Sequence, residues 1–530
     1  MWKSICGILA VAMLFGNSAD AASKDVPTAK VPGGKIQGYI DSNGVKIFKG
    51  IPYADSVAGK NRWKSPQPVK KWKGTLDCSK FGQIAVQNEA KNPDYFMPWT
   101  DEYLDLGMNL ENGLMGENCL SVNVWTTANR GDNKPVIVYI HGGANVSGSA
   151  DNDVYTGEDI ALQDVVYVSL NYRVGIFGFL AYKDSTGEEV RGNFALQDQI
   201  AALKWIKENI EKFGGNPQNI TIMGQSAGSI NVQSLIASPA AKGLFHRAIY
   251  LSFNGYQSPD EPTVTTISEA ESEAQEKIGS YSISDLRKMS PQDVLNLGYN
   301  PHIAVIDGET VAMSVKDAYD SGNFNRVDIL CGGVPGDPYL FNAAIDVGNF
   351  IEPKMSMTVE EFNSLLPDPK IAELYPISGD AIDAAKSVNN DYLIASYFYA
   401  TKMKDSRDSV SKSYVYFFDH VIPDTPERME KFGAFHTSDV NYWLNHYTTK
   451  YPRDWQPIDY TIGKIMSSYI VNFAKTGNPN GKDSFGEDLP QWDEVGKSNG
   501  ISFMHIGDQI QFETMNPEKS RFWMNYVATR

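Results

Sequence analysis

Asn219-Ile220-Thr221-Ile222-Met223-Gly224-Gln225-Ser226-Ala227-Gly228 is the stretch around which the chain is organised. Its first half is a β-branched, apolar run that reads as a buried strand. Ser229 to Ala237, just beyond it, is small and aliphatic enough to start a helix. A strand, a sharp turn and a helix with serine at the apex match the nucleophile elbow G-x-S-x-G. The flanking glycines have a physical reason. The turn is strained and its neighbours pass close by, so side chains there would clash. This geometry lifts Ser226 Oγ out of the fold and turns the Ala227 N–H towards the same place. Taken alone, the pattern also fits an ordinary glycine-rich turn. The surrounding chain has to decide.

Working outward, Leu120 to Trp125 alternates like a strand, and Pro135 to Ile140 is a continuous β-branched run of the kind buried on both faces. Asp164 to Leu170, Ala248 to Leu251, Val327 to Gly332 and Tyr414 to Phe418 read the same way. From Asn193 to Phe213, apolar residues recur at helical spacing until Gly214-Gly215-Asn216-Pro217 stops the helix. Lys35–Tyr39 and Val45–Phe48, joined through Asp41-Ser42-Asn43-Gly44, predict a leading hairpin. Alternating strands and helices imply an α/β protein: a large, mostly parallel central sheet with helices on both faces and an antiparallel N-terminal edge. Residues 255–325 and 347–412 read as helix-rich insertions. The region from 88 to 118 is an apolar-rich loop of a length that often covers an active site.

The 530 residues carry a net charge of −17 with no basic run, which argues against nucleic-acid and anionic-membrane partners. Met1-Trp2-Lys3, the apolar stretch Ile5 to Phe15 and Ala19-Asp20-Ala21 form a secretory signal over residues 1–21. That apolar stretch is too short to span a bilayer. The expected product is an exported protein, secreted or periplasmic, with residues 22–530 as a single domain and no membrane anchor. Of four cysteines, Cys6 leaves with the signal. Cys78 with Cys119 is the candidate disulfide in an oxidising compartment, with two buried thiols as the alternative. No CxxC or HxH cluster suggests a metal site.

A serine hydroxyl needs a base within hydrogen-bond reach, a group orienting that base, and N–H donors for the developing oxyanion. His141-Gly142-Gly143-Ala144 follows a buried strand and precedes the elbow, where lipases and esterases carry an HGGG-type motif. Gly142, Gly143 and Ala227 would then supply three donors. In α/β-hydrolase order the base follows the acid, which leaves His420, His436, His446 and His505. His420 directly ends a strand, whereas His436 sits among small residues in Gly433-Ala434-Phe435-His436-Thr437-Ser438. Pattern alone leaves both open. Asp337, in Val334-Pro335-Gly336-Asp337-Pro338, follows a strand end where α/β sheets place their chemistry, though Gly-Asp-Pro is also an ordinary turn.

With these motifs in order, the chain resembles the type-B carboxylesterase family of α/β-hydrolases. The resemblance runs from about residue 31 to the C-terminus. It rests on Phe48-Lys49-Gly50-Ile51-Pro52-Tyr53-Ala54, Glu117-Asn118-Cys119-Leu120, His141 to Ala144, Asn171-Tyr172-Arg173-Val174, Asn193 to Gln199, Phe213 to Pro217, the elbow, and Gly433 to His436. It implies Ser226 as nucleophile and His436 as base. The family's acid, usually glutamate in a D-E-G loop, falls on Asp337. Asp439 matches a supporting acidic position, and Arg62–Glu117 and Arg173–Asp198 are implied ion pairs. The family's first disulfide joins the Cys119 position to a cysteine near Ala85, not to Cys78. Cholinesterases carry glutamate where this chain has Gln225, and their choline-binding tryptophan has no counterpart between Asp101 and Glu117, so choline specificity is not expected. The implied activity is hydrolysis of a small-molecule carboxylic ester, aryl or hydrophobic, through an acyl-enzyme and without a cofactor. A feruloyl-type or lipase-like esterase is the alternative, and a non-catalytic adhesion relative is the more distant one.

Overall fold

The apolar runs become the middle strands of one large sheet. In the computed structural model the described residues are 26–88, 114–256, 263–337, 354–448, 450 and 452–529. The expected signal at 1–21 and residues 89–113 of the apolar loop lie outside them. The sheet comprises β1 (Tyr39–Ile40), β2 (Lys46–Pro52), β3 (Ser121–Thr126), β4 (Lys134–Ile140), β5 (Val166–Leu170), β6 (Gly215–Gln225), β7 (Arg247–Leu251), β8 (Asp328–Gly333), β9 (Ser413–Phe418), β10 (Ser502–Ile506) and β11 (Ile510–Thr514). Their order across the sheet is β11-β10-β9-β8-β7-β6-β4-β5-β3-β2-β1. The block from β5 to β10 is parallel, and β1, β2 and β3 form the antiparallel edge anticipated from the sequence. Together with the helices this is the α/β-hydrolase fold.

Continuous apolar strands are needed because both faces are covered. Along β4, Val136, Val138 and Ile140 enter one core while Ile137 and Tyr139 enter the other. β7 splits in the same way, with Ala248 and Tyr250 on one side and Ile249 and Leu251 on the other. The first core is closed by α1 (Phe194–Asn209), α2 (Ala227–Ala237) and α3 (Ile382–Arg407). The second is closed by α4 (Val440–Leu444) and α5 (Pro457–Thr476). α5 starts on Pro457 behind a reciprocal Gln456–Asp459 cap and stops at Gly477 with φ +81°. Residues 210–213 extend α1 by a tight 3₁₀ turn before Gly214, so the predicted stop falls where the glycine is. The implied ion pairs are present and buried: Arg62 to Glu117 at 2.6 Å and Arg173 to Asp198 at 2.7 Å.

Three expectations change. Lys35 to Gln37 do not form the leading hairpin. Gly34–Gln37 pairs antiparallel with Thr28–Val31 and parallel with Thr75–Asp77, and only Tyr39–Ile40 turns back on β2. Gly38 divides the two, since a Cβ there would lie 2.1 Å from the Ile47 carbonyl oxygen. The sheet also has a second antiparallel edge, where β10 and β11 form a hairpin. Finally, Cys78 and Cys119 are not joined. Both are free, buried thiols, as is Cys331. Backbone hydrogen bonds from Cys78 N to Gln37 O and from Lys49 N to Cys78 O pin the first between strands, and Cys119 leads into β3. Burial raises both thiols to about 12, which disfavours the thiolate that disulfide formation requires.

Candidate active site

Ser226 sits between the last residue of β6 and the first of α2, at φ +58°, ψ −126°. A non-glycine residue rarely holds such angles, and here packing enforces them. A Cβ on Gly224 would lie 2.4 Å from the Gly228 carbonyl oxygen, and one on Gly228 would lie 2.1 Å from that of Ile140. Gln225 and Ala227 on either side are buried, whereas Ser226 is partly exposed. The elbow therefore presents its hydroxyl and hides its neighbours.

The glycine loop after β4 packs against the same turn. A Cβ on Gly142 would stand 2.7 Å from Gln225 O and 3.1 Å from Ser226 Cβ. Gly143 holds φ +107°. Among the described residues, the N–H groups of Gly142 and Gly143 make no hydrogen bond, and Ala227 N–H is the first of a helix, which has no intrahelical acceptor. His141 anchors this loop. Its ring stacks on Tyr172 with centroids 4.3 Å apart, its Nδ1 is 2.9 Å from Gly142 O, and Tyr172 Oη donates to His141 O. Burial lowers its pKa to about 4, so it is neutral. Asn231, one turn into α2, donates to Asn145 Oδ1 at 3.0 Å and to Tyr172 Oη at 3.3 Å.

His436 and Asp337 arrive on two loops that are stitched together. Gly336 pairs with Phe435 in a parallel bridge, and Gly336 N donates to Ala434 O at 3.0 Å. The approach is so close that a Cβ on Gly336 would lie 2.6 Å from Phe435 Cα. The stitch holds the loop carrying Asp337 against the loop carrying His436. His436 Nδ1 lies 2.7 Å from Asp337 Oδ1, and Asp337 Oδ2 accepts from Val334 N. Both residues are buried. With the proton on Nδ1, Nε2 is an acceptor, and the Gln225 amide donates to it at 3.2 Å. The ring thus reaches the elbow. Asp439, also buried, takes hydrogen bonds from Tyr416 Oη and Trp443 Nε1, and burial raises it to about 6.

The alternative bases lie elsewhere. His420 is held between Asp459 at 2.9 Å and Asp508 at 2.7 Å. Burial pulls its pKa down, but the two carboxylates outweigh it and raise it above the ordinary imidazole value. His446 faces Asp159, and His505 lies 2.9 Å from both Asp419 and Glu513. None of these is offered to Ser226. Among the described residues no group of three or more His, Cys, Asp or Glu is placed to hold a metal ion, and no helix is long and apolar enough to cross a membrane. Sequence reasoning missed Asn145, Asn231 and Tyr416. Asn231 had a faint signal, as one of four polar residues, with Ser229, Gln233 and Ser234, in a helix that is otherwise small and aliphatic.

The chain is similar to known proteins over most of its length. The model of the carboxylesterase family matches residues 25–523. The para-nitrobenzyl esterase of Bacillus subtilis is 30% identical over 470 residues, covering 84% of this chain and 89% of the relative. The acetylcholinesterase of Bungarus fasciatus is 30% identical over 476 residues, covering 82% and 75%. A crystal structure of a carboxylesterase from Geobacillus stearothermophilus superposes with a TM-score of 0.72 at 26% identity, over 94% of this chain and 99% of that one. The chain belongs to the carboxylesterase family and is a carboxylic ester hydrolase.

Proposed function

We propose that the chain cleaves its ester through an acyl-enzyme on Ser226. The observation that carries this reading is the 2.7 Å contact of His436 Nδ1 with Asp337, which leaves Nε2 facing the elbow as an acceptor. Ser226 attacks the ester carbonyl while His436 takes its proton and then passes it to the leaving alcohol. Asp337 fixes the ring and its tautomer. The N–H groups of Gly142, Gly143 and Ala227 receive the oxyanion, which is worth most where water is excluded. Gln225 and Asp439 support the base. Water then repeats the sequence in reverse and releases the acid. The preferred substrate is an aryl or otherwise hydrophobic ester, in keeping with an aromatic content of 12%. The protein acts outside the cytoplasm, after export by its N-terminal signal.

Ser226→Ala is expected to lower kcat for a short-chain aryl ester by about 10⁶-fold while the thermal melt is kept. A fluorophosphonate is expected to label the parent once and the variant not at all. Undiminished turnover in the variant sinks the assignment.

A further inference from the structure

Directly after the donor glycines the backbone takes a shape that its side chains resist. Ala144 and Asn145 follow Gly143 at φ +53° and φ +58°. Non-glycine residues rarely adopt such angles, and two in succession stay there only when their surroundings hold them. Gly175 N donates to Asn145 O at 2.7 Å. The side-chain contacts that hold this loop converge on Asn231 of α2.

Asn231 is four residues beyond Ala227, so it stands one turn up the same face of the helix. Its amide nitrogen donates to Asn145 Oδ1 at 3.0 Å and to Tyr172 Oη at 3.3 Å. The direction of both bonds follows from the far ends of the chain, which are main-chain carbonyls and can only accept. Tyr172 Oη gives its proton to His141 O at 2.7 Å, so it accepts from Asn231. Asn145 Nδ2 donates to His302 O at 3.1 Å, which leaves Asn145 Oδ1 as the acceptor for Asn231. One amide thus reaches the loop on either side of Gly142 and Gly143: at His141 through Tyr172, and at Asn145 directly. Asn145, Tyr172 and Asn231 are all buried, so a lost donor here is costly.

We propose that Asn231 is a positioning residue for the oxyanion donors: its two N–H groups fix the loop carrying Gly142 and Gly143 against the helix that begins with Ala227. The inference rests on the oxyanion reading above and names what sets the spacing of those donors. Donors to an oxyanion must lie about 2.7–3.1 Å from it, so a small shift of the loop weakens two of the three at once. Without the Asn231 amide the loop is released from α2, while His436 and Asp337 keep their own contact.

The test compares an aryl ester with the matching thionoester, in which sulfur replaces the carbonyl oxygen, in the parent and in Asn231→Leu. Sulfur is a larger and weaker acceptor, so the ratio of the two kcat/KM values reads what the donor set contributes. Leucine keeps the approximate volume and removes both N–H groups. Outright loss of one donor costs about 10²–10³-fold in kcat, and a displaced pair is expected to cost about tenfold, with KM little changed. The ester-to-thionoester ratio falls by a comparable factor. A loosened fold or a misplaced base slows both substrates alike and leaves that ratio where it was. An Asn231→Leu ratio equal to that of the parent therefore overturns the inference. If Asn231→Leu does not fold, Asn231→Ser decides: its one hydroxyl proton cannot serve both acceptors, so a lowered ratio supports the inference and an unchanged ratio refutes it. The parent keeps the two readings apart. A parent that favours the ester, beside a variant with the same ratio, removes only the role of Asn231, whereas a parent that hydrolyses both substrates alike removes the oxyanion reading itself.

Discussion

Gly336→Ala probes the joint on which the base depends. The added Cβ would meet Phe435 Cα at 2.6 Å, His436 N at 2.9 Å and Ala434 O at 3.0 Å, all backbone atoms that cannot swing aside. Ordinary contact begins near 3.4 Å, so the acid and base loops must part by about 0.8 Å (3.4 − 2.6). Transmitted along the His436–Asp337 line, that stretches the 2.7 Å contact to about 3.5 Å, beyond hydrogen-bonding range. A displacement near 1 Å at a catalytic group costs about 10²-fold in rate. We expect kcat for a p-nitrophenyl ester to fall by that factor with KM little changed. Two parting loops cost about 1–3 kcal/mol of stability, as overpacking does, so the variant remains folded. A folded Gly336→Ala protein with kcat within about threefold of the parent refutes the argument that the stitch sets the acid–base geometry.

Two further outcomes follow from buried charge. Asp198→Asn leaves the Arg173 guanidinium buried without its carboxylate and costs about 3–5 kcal/mol, read as a lower urea midpoint, while Arg173→Met with Asp198→Leu costs less than the single change. His505, raised to about 9 by Asp419 and Glu513 against the opposing effect of burial, contributes stability that is complete below about pH 6.5 and lost as pH rises through about 9. The Tm of the parent should therefore exceed that of His505→Gln at pH 6 and converge with it near pH 10. A constant difference across that range counts against the histidine clamp.

The middle of the sheet was legible because strands buried on both faces must be apolar throughout, as Pro135 to Ile140 is. Its C-terminal edge was not. β10 and β11 carry His505, Gln511 and Glu513 on a half-exposed hairpin, and mixed polarity of that kind does not announce a strand. The choice between His420 and His436 was open for a related reason. What separates them is their partners: Asp459 and Asp508 lie 39 and 88 positions from His420, and Asp337 lies 99 positions from His436. Spacing along the chain does not encode which distant carboxylate a loop will meet. The cysteines make the same point in reverse. An oxidising compartment permits a bond between Cys78 and Cys119, yet the backbone fixes each thiol within its own strand environment.

The close glycine contacts have a mechanical consequence. Gly224, Gly228 and Gly142 interlock the Ser226 turn with the glycine loop after β4 into one casting, while Gly336 welds the loops of Asp337 and His436 into another. The two castings meet along a seam, where the Gln225 amide touches His436. Within each casting, backbone blocks backbone and alignment is set by hard contact. Across the seam it is set by side chains and is correspondingly softer. Catalytic alignment can thus fail by slippage of that seam while every strand of the sheet is still paired.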